Sequence, residues 1–242
     1  MGRVTVLLTA TIDPGATIMV ARADPDVRMR DYQQALRSWL SVSRAFTLVF
    51  CENSGYDIGS LRKIADETAG PRIEFISLNN NKTGETKGKG HSELLAIKRA
   101  MEVSEMLSNS QIVIKCTGRL YVPNAARVLS AIESTDFDIM CALRKYLSYA
   151  DSRFFAATPE FFFNHLIPCG NAINDNEGVY FEHALARAAG AAIADGMKWR
   201  PFPVLPRICG VSGTFDKSMS DSALIGAVRT VYSQVRNFIY SR

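Results

Sequence analysis

The chain has 242 residues, of which 47% are hydrophobic and 21% are charged, and its formal net charge is +4. This length is enough for one α/β domain with a full core or for two small domains, and the composition is that of a globular protein. The weak positive charge, without a dominant block of Lys or Arg, argues against a nucleic-acid partner. It allows an anionic small ligand or loose contact with an anionic membrane.

The cysteines and the N-terminus indicate where the protein works. The five cysteines are widely spread and form no Cys-x-x-Cys pair, which predicts reduced, mostly buried thiols and argues against a zinc site. The N-terminal segment 1–8 is too short for a signal peptide, and no apolar stretch approaches the roughly 18 residues that a spanning helix needs. We therefore expect a cytoplasmic protein that is soluble or peripheral at the inner membrane face.

The first half of the chain alternates strands and helices. Short apolar runs predict strands at residues 4–9, 47–51 and 73–77, and helical periodicity predicts helices at 31–39 and within 56–69. Alternation of this kind is typical of a largely parallel sheet. A strand at the N-terminus that ends in a loop of small and polar residues is a common start of a nucleotide-binding α/β fold.

Residues 79–90 form a polar, Gly-rich segment with three lysines. Its end, Gly88-Lys89-Gly90, resembles a phosphate loop only loosely, because it lacks the spacing of a P-loop or of a dinucleotide fingerprint. A long helix is predicted to follow, with Ser92 as its N-cap. Glu93 then lies in the first helical turn, where the helix dipole would favour a carboxylate even without a function.

The stretch at residues 110–124 joins a buried strand to several polar residues. The apolar run 112–114 predicts the strand, and Lys115-Cys116-Thr117-Gly118-Arg119 follows it. In open α/β sheets, ligands bind outside the carboxyl ends of the strands. Two cations and a Gly that lets the backbone approach closely suit a phosphorylated ligand. The alternative is a strand-turn-strand with a solvated Lys and Arg.

The second half of the chain is less regular and richer in aromatic residues. Strands are predicted at residues 136–142 and 152–157, and helices at 125–133 and 180–194. Residues 208–215 are predicted to form a Gly/Ser loop.

We predict a single domain over residues 1–242. Residues up to about 120 would form a nucleotide-binding half, residues from there to 220 an acceptor half, and 221–242 a C-terminal helix. The polar side of that helix is basic, so it could lie on a membrane face or pack in a homo-oligomer. The alternative is an ordinary amphipathic helix that covers the sheet.

The order of these features is informative as a whole. An N-terminal strand ends in a polar loop, the second strand ends in Glu52-Asn53-Ser54, Gly88-Lys89-Gly90 opens a long helix, and a carboxylate lies near the start of a later helix. This series resembles the GT-A nucleotide-sugar glycosyltransferases, especially small bacterial enzymes of surface-polysaccharide synthesis, over most of residues 4–190. The resemblance implies an α/β fold with a single Rossmann-like GT-A domain, in which helices flank a mostly parallel central sheet.

The sequence departs from this family at the end of the central strand. Such enzymes usually carry Asp-x-Asp there, which holds a divalent metal on the donor diphosphate, whereas this chain has Lys115-Cys116-Thr117-Gly118-Arg119. Lys and Arg could neutralise a leaving diphosphate directly. We therefore expect no cofactor and a metal-independent enzyme, or one whose metal ligands lie elsewhere.

The resemblance also implies donor contacts residue by residue. The first loop and the end of the second strand would hold the nucleoside, the start of the long helix would face the donor, and the central strand would hold its phosphates. The implied contacts are Thr9, Ala10, Thr11, Glu52, Asn53, Gly90, Glu93, Lys115, Thr117, Gly118 and Arg119.

The helix that begins near residue 176 resembles the acidic helix whose carboxylate is the catalytic base of inverting enzymes. Glu182 is the first candidate and Glu177, nearer the loop, is the second. Their structural alternatives are a solvated helix carboxylate and a partner of the helix dipole, respectively. Asp151 and Arg153 are further candidates for contacts with sugar hydroxyls, unless they only form a turn before a strand.

Three functions follow from these residues. The first is transfer of a sugar from a nucleotide-diphosphate donor to a polysaccharide or lipid-linked glycan acceptor. The second is a sugar nucleotidyltransferase, which the Gly/Lys segment at 84–90 favours but the absence of a Gly-rich, basic loop after the first strand disfavours. The third is a non-catalytic nucleotide- or glycan-binding module, which predicts that Glu182 and Glu177 point away from Lys115 and Arg119.

Overall fold

The chain folds around a central β-sheet. A computed structural model describes residues 4–17, 20–43, 45–79, 87–211 and 218–220. The strands in these ranges are β1 (Val4–Ala10), β2 (Thr47–Glu52), β3 (Arg72–Ser77), β4 (Ile112–Thr117), β5 (Leu120–Tyr121), β6 (Ile139–Met140), β7 (Leu143–Arg144), β8 (Tyr149–Ala150), β9 (Phe154–Ala157), β10 (Trp199–Arg200), β11 (Cys209–Val211) and β12 (Ser218–Ser220).

Helices connect most of these strands. They are α1 (Pro25–Leu40), α2 (Gly59–Glu67), α3 (Lys89–Val103), α4 (Glu105–Ser108), α5 (Ala125–Glu133), α6 (Pro159–Phe161), α7 (Ile167–Gly170) and α8 (Phe181–Ala194). A π-helical turn (Phe162–Leu166) joins α6 to α7, and a 3-10 turn (Asp175–Glu177) precedes α8.

The central sheet has seven strands in the order β10-β6-β9-β4-β1-β2-β3. β1 pairs in parallel with β2 and β4, and β2 pairs in parallel with β3. β9 is antiparallel to both of its neighbours, β4 and β6. Because β9 runs the other way, the residues that precede it arrive at the carboxyl end of β4. The predicted α/β fold with a mostly parallel sheet flanked by helices is confirmed.

Alternate residues of the central strands face two separate cores. Val6 and Leu8 in β1 pack with side chains of α1, α2 and α5, whereas Leu7 packs with side chains of α3 and α8. This period of two follows from the pleat of a strand that is covered on both faces. The fully buried hydrophobic strand β1 therefore forms the middle of the molecule, and its carboxyl end is fixed against the helices on either side.

Several element boundaries differ from the sequence-based predictions. The first helix begins at Pro25, well before residue 31, because Asp24 accepts hydrogen bonds from the amides of Asp26 and Val27 and caps it. The strand predicted at 136–142 is limited to β6. The predicted loop at 208–215 was wrong in part, because β11 pairs with β5 and β12.

The cysteines agree with the prediction of buried thiols. The four most buried are Cys51, Cys116, Cys141 and Cys209, and all five are free. Burial raises the pKa of Cys51, Cys116 and Cys141 to about 12, so these thiols are protonated and unreactive at neutral pH. Among the described residues, no helix is both long and apolar enough to cross a membrane. The C-terminal helix predicted at 221–242 and residues 80–86 lie outside the described ranges.

Candidate active site

The carboxyl ends of β1 and β4 meet the N-termini of α3 and α8 at one edge of the sheet. The amide of Gly118, just after β4, donates to the carbonyl oxygen of Thr9 in β1 (2.8 Å). Thr9 Oγ1 donates to Glu93 Oε1 in α3 (2.7 Å). Ser152 Oγ, just before β9, donates to Glu182 Oε1 in the first turn of α8 (2.8 Å). We call these five residues and the side chains around them the strand-end cluster. Its members come from distant parts of the sequence.

Lys115 lies in the middle of the strand-end cluster and is fully buried. Its Nζ is 2.7 Å from Glu93 Oε1, 2.7 Å from the carbonyl oxygen of Ser152 and 3.2 Å from Thr117 Oγ1. An ammonium group has three protons, so these acceptors account for all of them. The expectation that Lys115 holds a phosphate directly does not fit this geometry, because the side chain has no donor left for a ligand.

Glu93 forms an internal ion pair with Lys115 and keeps 25% of its side chain exposed. Burial raises the pKa of the Glu93 carboxyl, but the Lys115 ammonium and the Thr9 hydroxyl more than offset that effect and hold the pKa below its ordinary value. Glu93 is therefore an anion at neutral pH. The pair places one positive and one negative charge at the strand end where the sequence resemblance implies a metal ion.

Gly118 is required by the close approach of the turn after β4 to β1. A Cβ at this position would lie 2.7 Å from the carbonyl oxygen of Thr9. Arg119 follows and is half-buried, and its Nε donates to the carbonyl oxygen of Val211 in β11 (3.0 Å). A guanidinium has five donors, and the described residues leave the four on its two Nη groups without a hydrogen bond. Arg119 is therefore a better candidate than Lys115 for binding a ligand phosphate.

Lys89 is a second cation of the strand-end cluster, which the sequence-based assignment missed. It is the first residue of α3 and is half-buried. Burial lowers the pKa of the Lys89 ammonium, and Arg119 lowers it as well, whereas the carboxylates of Asp175 and Glu182 act in the opposite direction. Lys89 is therefore near enough to Arg119 and to the two acids to be influenced by their charges.

Gly90, which was predicted to contact the nucleotide-sugar donor, is buried against Asp175. The Gly90 amide donates to Asp175 Oδ2 (3.0 Å), and a Cβ at Gly90 would lie 2.8 Å from Asp175 Oδ1. Asp175 is itself 6% exposed. Burial raises the pKa of the Asp175 carboxyl, against the smaller lowering effects of the Gly90 amide and of Lys89. The backbone of Gly90 therefore contacts Asp175 too closely for a side chain to fit between them.

Glu182, the first candidate for the base, is half-buried and has two hydroxyl neighbours, Ser152 and Tyr149. Burial, together with the carboxylates of Glu182 and Asp151, raises the pKa of Tyr149 to about 12, so its hydroxyl keeps its proton at neutral pH. Ser152 donates from its hydroxyl to Glu182 and accepts from Lys115 at its carbonyl oxygen. Ser152 thus connects the candidate base Glu182 with the ion pair of Lys115 and Glu93.

Glu177, the second candidate for the base, is exposed in the 3-10 turn before α8. Its amide donates to the carbonyl oxygen of Asn174 (3.0 Å). No described residue forms a hydrogen bond or an ion pair with its carboxylate. Glu182 is therefore the better placed of the two carboxylates.

Asp151 and Arg153 bind each other instead of presenting free polar groups. Arg153 Nε donates to Asp151 Oδ1 (2.8 Å) and its Nη2 to Asp151 Oδ2 (2.6 Å), and Arg144 Nη2 is 3.3 Å from the same Oδ2. Burial raises the pKa of Asp151, but Arg153 and Arg144 more than offset this and hold the pKa below its ordinary value. The pair fixes the turn that leads into β9, where the Arg153 carbonyl oxygen accepts from the Thr117 amide (3.0 Å).

The predicted nucleoside contacts at the end of β2 are satisfied internally. Glu52 is fully buried, and its carboxylate accepts hydrogen bonds from the amides of Ile12, Ser54, Gly55 and Tyr56. Glu52 therefore holds the loops after β1 and β2 together and offers no atom to a ligand, in contrast to the expectation from the sequence.

The neighbouring Asn53 links the same loops to α3. Its Oδ1 accepts from Thr11 Oγ1 (2.7 Å), and its Nδ2 donates to Ser92 Oγ (3.0 Å). Ala10 lies in the core, and Thr11 is half-buried at the edge. Of the predicted nucleoside contacts, Thr11 is the one that stays partly exposed, although its backbone amide and carbonyl oxygen are hydrogen-bonded to side chains of α1.

The strand-end cluster does not suit a divalent metal ion. An ammonium group takes the position where the resemblance puts a metal-binding acid, and ammonium groups are not metal ligands. Within the described ranges, no group of three or more His, Cys, Asp or Glu side chains is arranged to hold a metal ion.

Comparisons with known proteins bear on the fold. No family model matches the chain, and no curated protein matches it. Galactosyltransferase LgtC in complex with donor and acceptor sugar analogs has a similar structure, with a TM-score of 0.52 and 10% identity over 81% of this chain and 73% of that chain. An active-site mutant of LgtC gives a TM-score of 0.51 and 11% identity over 75% of this chain and 68% of that chain. The fold is of the GT-A type, as the sequence resemblance implied.

Proposed function

We propose that the chain is a glycosyltransferase that moves a sugar from a nucleotide-diphosphate donor to a polysaccharide or lipid-linked glycan acceptor, without a metal ion bound by Asp-x-Asp. The observation that carries this proposal is the meeting of Arg119, Lys89 and Glu182 at the carboxyl edge of the sheet. Two cations next to a carboxylate, at the usual ligand position of an α/β fold, suit transfer from a phosphorylated leaving group.

The donor diphosphate would lie beside Arg119 and Lys89. As the bond between the anomeric carbon and the diphosphate oxygen breaks, negative charge grows on the leaving group, and fixed cations stabilise it. Thr9, Thr117 and Gly118 would shape the floor of this position. Lys115 would act through Glu93 as a positioning residue.

Glu182 would act on the acceptor if the reaction inverts the stereochemistry. Its carboxylate would take the proton of an acceptor hydroxyl while that oxygen forms its bond to the anomeric carbon, and the proton would then pass to water. Hydroxyl groups of Ser152 and Tyr149 would orient the carboxylate. Removing one of the two would be expected to weaken the alignment but not the charge.

A thermal-shift panel of nucleoside diphosphates and their sugars, with Mn²⁺ or with a chelator, tests the donor class. Binding of one nucleotide at about 100 times its Kd adds about 2.7 kcal/mol to stability, which raises Tm by several degrees. Arg119→Ala, which we expect to weaken binding about tenfold, should roughly halve this shift at the same nucleotide concentration. The matched control Arg99→Ala, on the exposed side of α3, should keep it. No shift with any nucleotide in the wild type would contradict the proposal.

A sugar nucleotidyltransferase stays the alternative, because Gly88-Lys89-Gly90 lies at the strand-end cluster. The products separate the two enzymes. A nucleotidyltransferase releases pyrophosphate from a nucleoside triphosphate and a sugar 1-phosphate, whereas a glycosyltransferase releases a nucleoside diphosphate from a nucleotide sugar. A binding module releases neither, and the contact of Glu182 with Ser152 does not fit its prediction that Glu182 points away.

A homo-oligomer and a peripheral membrane contact at the cytoplasmic face of the inner membrane remain part of the proposal. The basic C-terminal segment would make the membrane contact. Such a contact would bring the enzyme to the membrane that holds a lipid-linked acceptor.

A further inference from the structure

Asp175 packs under the segment Gly88-Lys89-Gly90 from 85 residues further along the chain. Gly88 has a φ of 91°, a conformation that L side chains rarely adopt. A Cβ at Gly88 would lie 2.5 Å from Asp175 Oδ2, and the Gly90 amide donates to that same oxygen. Both glycines are thus needed for the carboxylate to fit, and the carboxylate caps the first turn of α3.

Asp175 is itself held in place by its own turn. Asn174 bridges to Val179 through backbone hydrogen bonds, and its Oδ1 accepts from the Asn176 amide (3.2 Å). The same turn leads directly into α8, which carries Glu182. A single side chain therefore connects the start of α3 on one side of the cluster with the start of α8 on the other.

The Asp175 carboxylate costs the fold some stability at neutral pH. Burial raises the pKa of the Asp175 carboxyl, and the neighbouring carboxylates of Glu182 and Glu93 raise it as well. A carboxyl group whose pKa is higher in the folded than in the unfolded protein destabilises the fold at neutral pH. Relative to neutral pH, the raised pKa makes the fold more stable in acid. This gain is complete below the unfolded pKa of about 4 and is lost as the pH rises through the folded pKa.

We propose that Asp175 is a positioning residue that latches Gly88-Lys89-Gly90 and so holds the Lys89 ammonium beside Arg119, where a nucleoside diphosphate binds. The inference rests on the proposed function for the identity of the ligand. The latch works through the hydrogen bond to Gly90 and the packing against Gly88. It does not work through the negative charge of Asp175, which by itself opposes the binding of an anion.

Two substitutions of Asp175 separate these effects. Asp175→Ala removes the hydrogen bond and the charge, whereas Asp175→Asn removes the charge but keeps an oxygen that can accept from Gly90. If charge alone mattered, both variants would bind an anion more tightly than the wild type. The latch predicts instead that Asp175→Ala binds a nucleoside diphosphate roughly tenfold more weakly. It predicts that Asp175→Asn binds at least as tightly as the wild type.

Titration calorimetry with a nucleoside and with its diphosphate measures this difference. The affinity for the nucleoside should stay within about twofold in both variants, since Lys89 acts on phosphate. Asp57→Ala is the control, because Asp57 also accepts from an amide in the first turn of a helix, that of Gly59 in α2 (2.8 Å), but lies outside the cluster. It should leave both affinities unchanged. Equal affinity for the diphosphate in Asp175→Ala and Asp175→Asn would overturn the latch.

Hydrogen exchange decides the matter without any ligand. The amide of Gly90 should exchange faster in Asp175→Ala than in the wild type, and Asp175→Asn should restore its protection. Unchanged exchange in Asp175→Ala would refute the latch. If the wild type binds no nucleotide at all, the proposed function fails, and this exchange measurement still tests whether Asp175 holds the segment.

Discussion

The ends of β2 and β4 both carry charged and polar residues but lie in different environments. Each places charged and polar side chains directly after a buried strand, and both were predicted to touch the donor. At the end of β2, Glu52 is buried and surrounded by backbone amides that satisfy both carboxylate oxygens. At the end of β4, Lys115 is equally satisfied, but Arg119 keeps its two Nη groups free of hydrogen bonds within the described part of the chain.

A residue at a strand end does not bind a ligand merely because of its position. A buried polar side chain must find partners, and once it has them, it serves the structure. Only a side chain that retains donors at the edge can bind a phosphate. The end of β2 should therefore respond to substitution with a loss of stability, and the end of β4 with a loss of both stability and binding.

The largest expected effect belongs to the candidate base. Glu182→Gln should lower the rate of sugar transfer by about 10²–10⁴-fold, since an amide cannot take the acceptor proton. The affinity for the donor nucleotide should change little. Initial rates and calorimetry on the same preparation check both. Glu177→Gln is the comparison, and a large loss there with none in Glu182→Gln would reverse the assignment.

Lys115→Met should cost the fold about 3 kcal/mol, because it leaves the Glu93 carboxylate without its buried partner. Adding Glu93→Met should recover most of the loss, since an apolar pair of similar volume replaces the ion pair. Urea unfolding measures both values. A loss below about 1 kcal/mol in the single variant would show that water takes over the role of the lysine.

Glu52→Gln and Arg119→Ala should differ in kind. Glu52→Gln places an amide nitrogen against backbone donors and should lower the free energy of unfolding by about 2 kcal/mol, while the folded protein keeps its nucleotide affinity. Arg119→Ala should weaken nucleoside diphosphate binding about tenfold and change the unfolding free energy by less than about 1 kcal/mol. The comparison fails if both variants lose binding to the same degree.

The smallest expected effect is on acid stability. Asp151 has a pKa below its ordinary value because Arg153 and Arg144 outweigh its burial. Its contribution is therefore complete above the unfolded pKa of about 4 and is lost as pH falls through the lower folded value. The stability difference between the wild type and Asp151→Asn should shrink as the pH falls below about 4. A difference that is constant from neutral to acidic pH would contradict this origin.

The sequence predicts the sheet well because its strands are continuous apolar runs. The runs at β1, β2 and β4 leave little choice of conformation, and the fully buried side chains of Val6 and Leu8 follow from them. The start of α1 was missed because the Asp24-Pro25 signal precedes the apolar face of the helix. The strand β11 was missed because Gly210 suggested a loop, whereas its partner β5 lies far away in the sequence.

The candidate site could be predicted only in part. Arg119 and Glu182 carry their chemistry in their residue types and in their positions after a strand and at the start of a helix. Lys89 and Asp175 could not be assigned in the same way, because their proximity depends on a contact between residues 85 positions apart. The sequence also could not show that Lys115 has no proton left for a ligand, since its acceptors come from α3 and from the turn before the antiparallel strand β9.

The central claim is that side-chain cations neutralise the donor diphosphate. Calorimetric titration of a nucleoside diphosphate, first with a chelator and then with Mn²⁺, tests it most directly in the wild type and in Arg119→Ala. We expect the wild type to bind with the same affinity in both buffers and Arg119→Ala to bind about tenfold more weakly in both. Binding that requires Mn²⁺ and is indifferent to Arg119 would contradict the account.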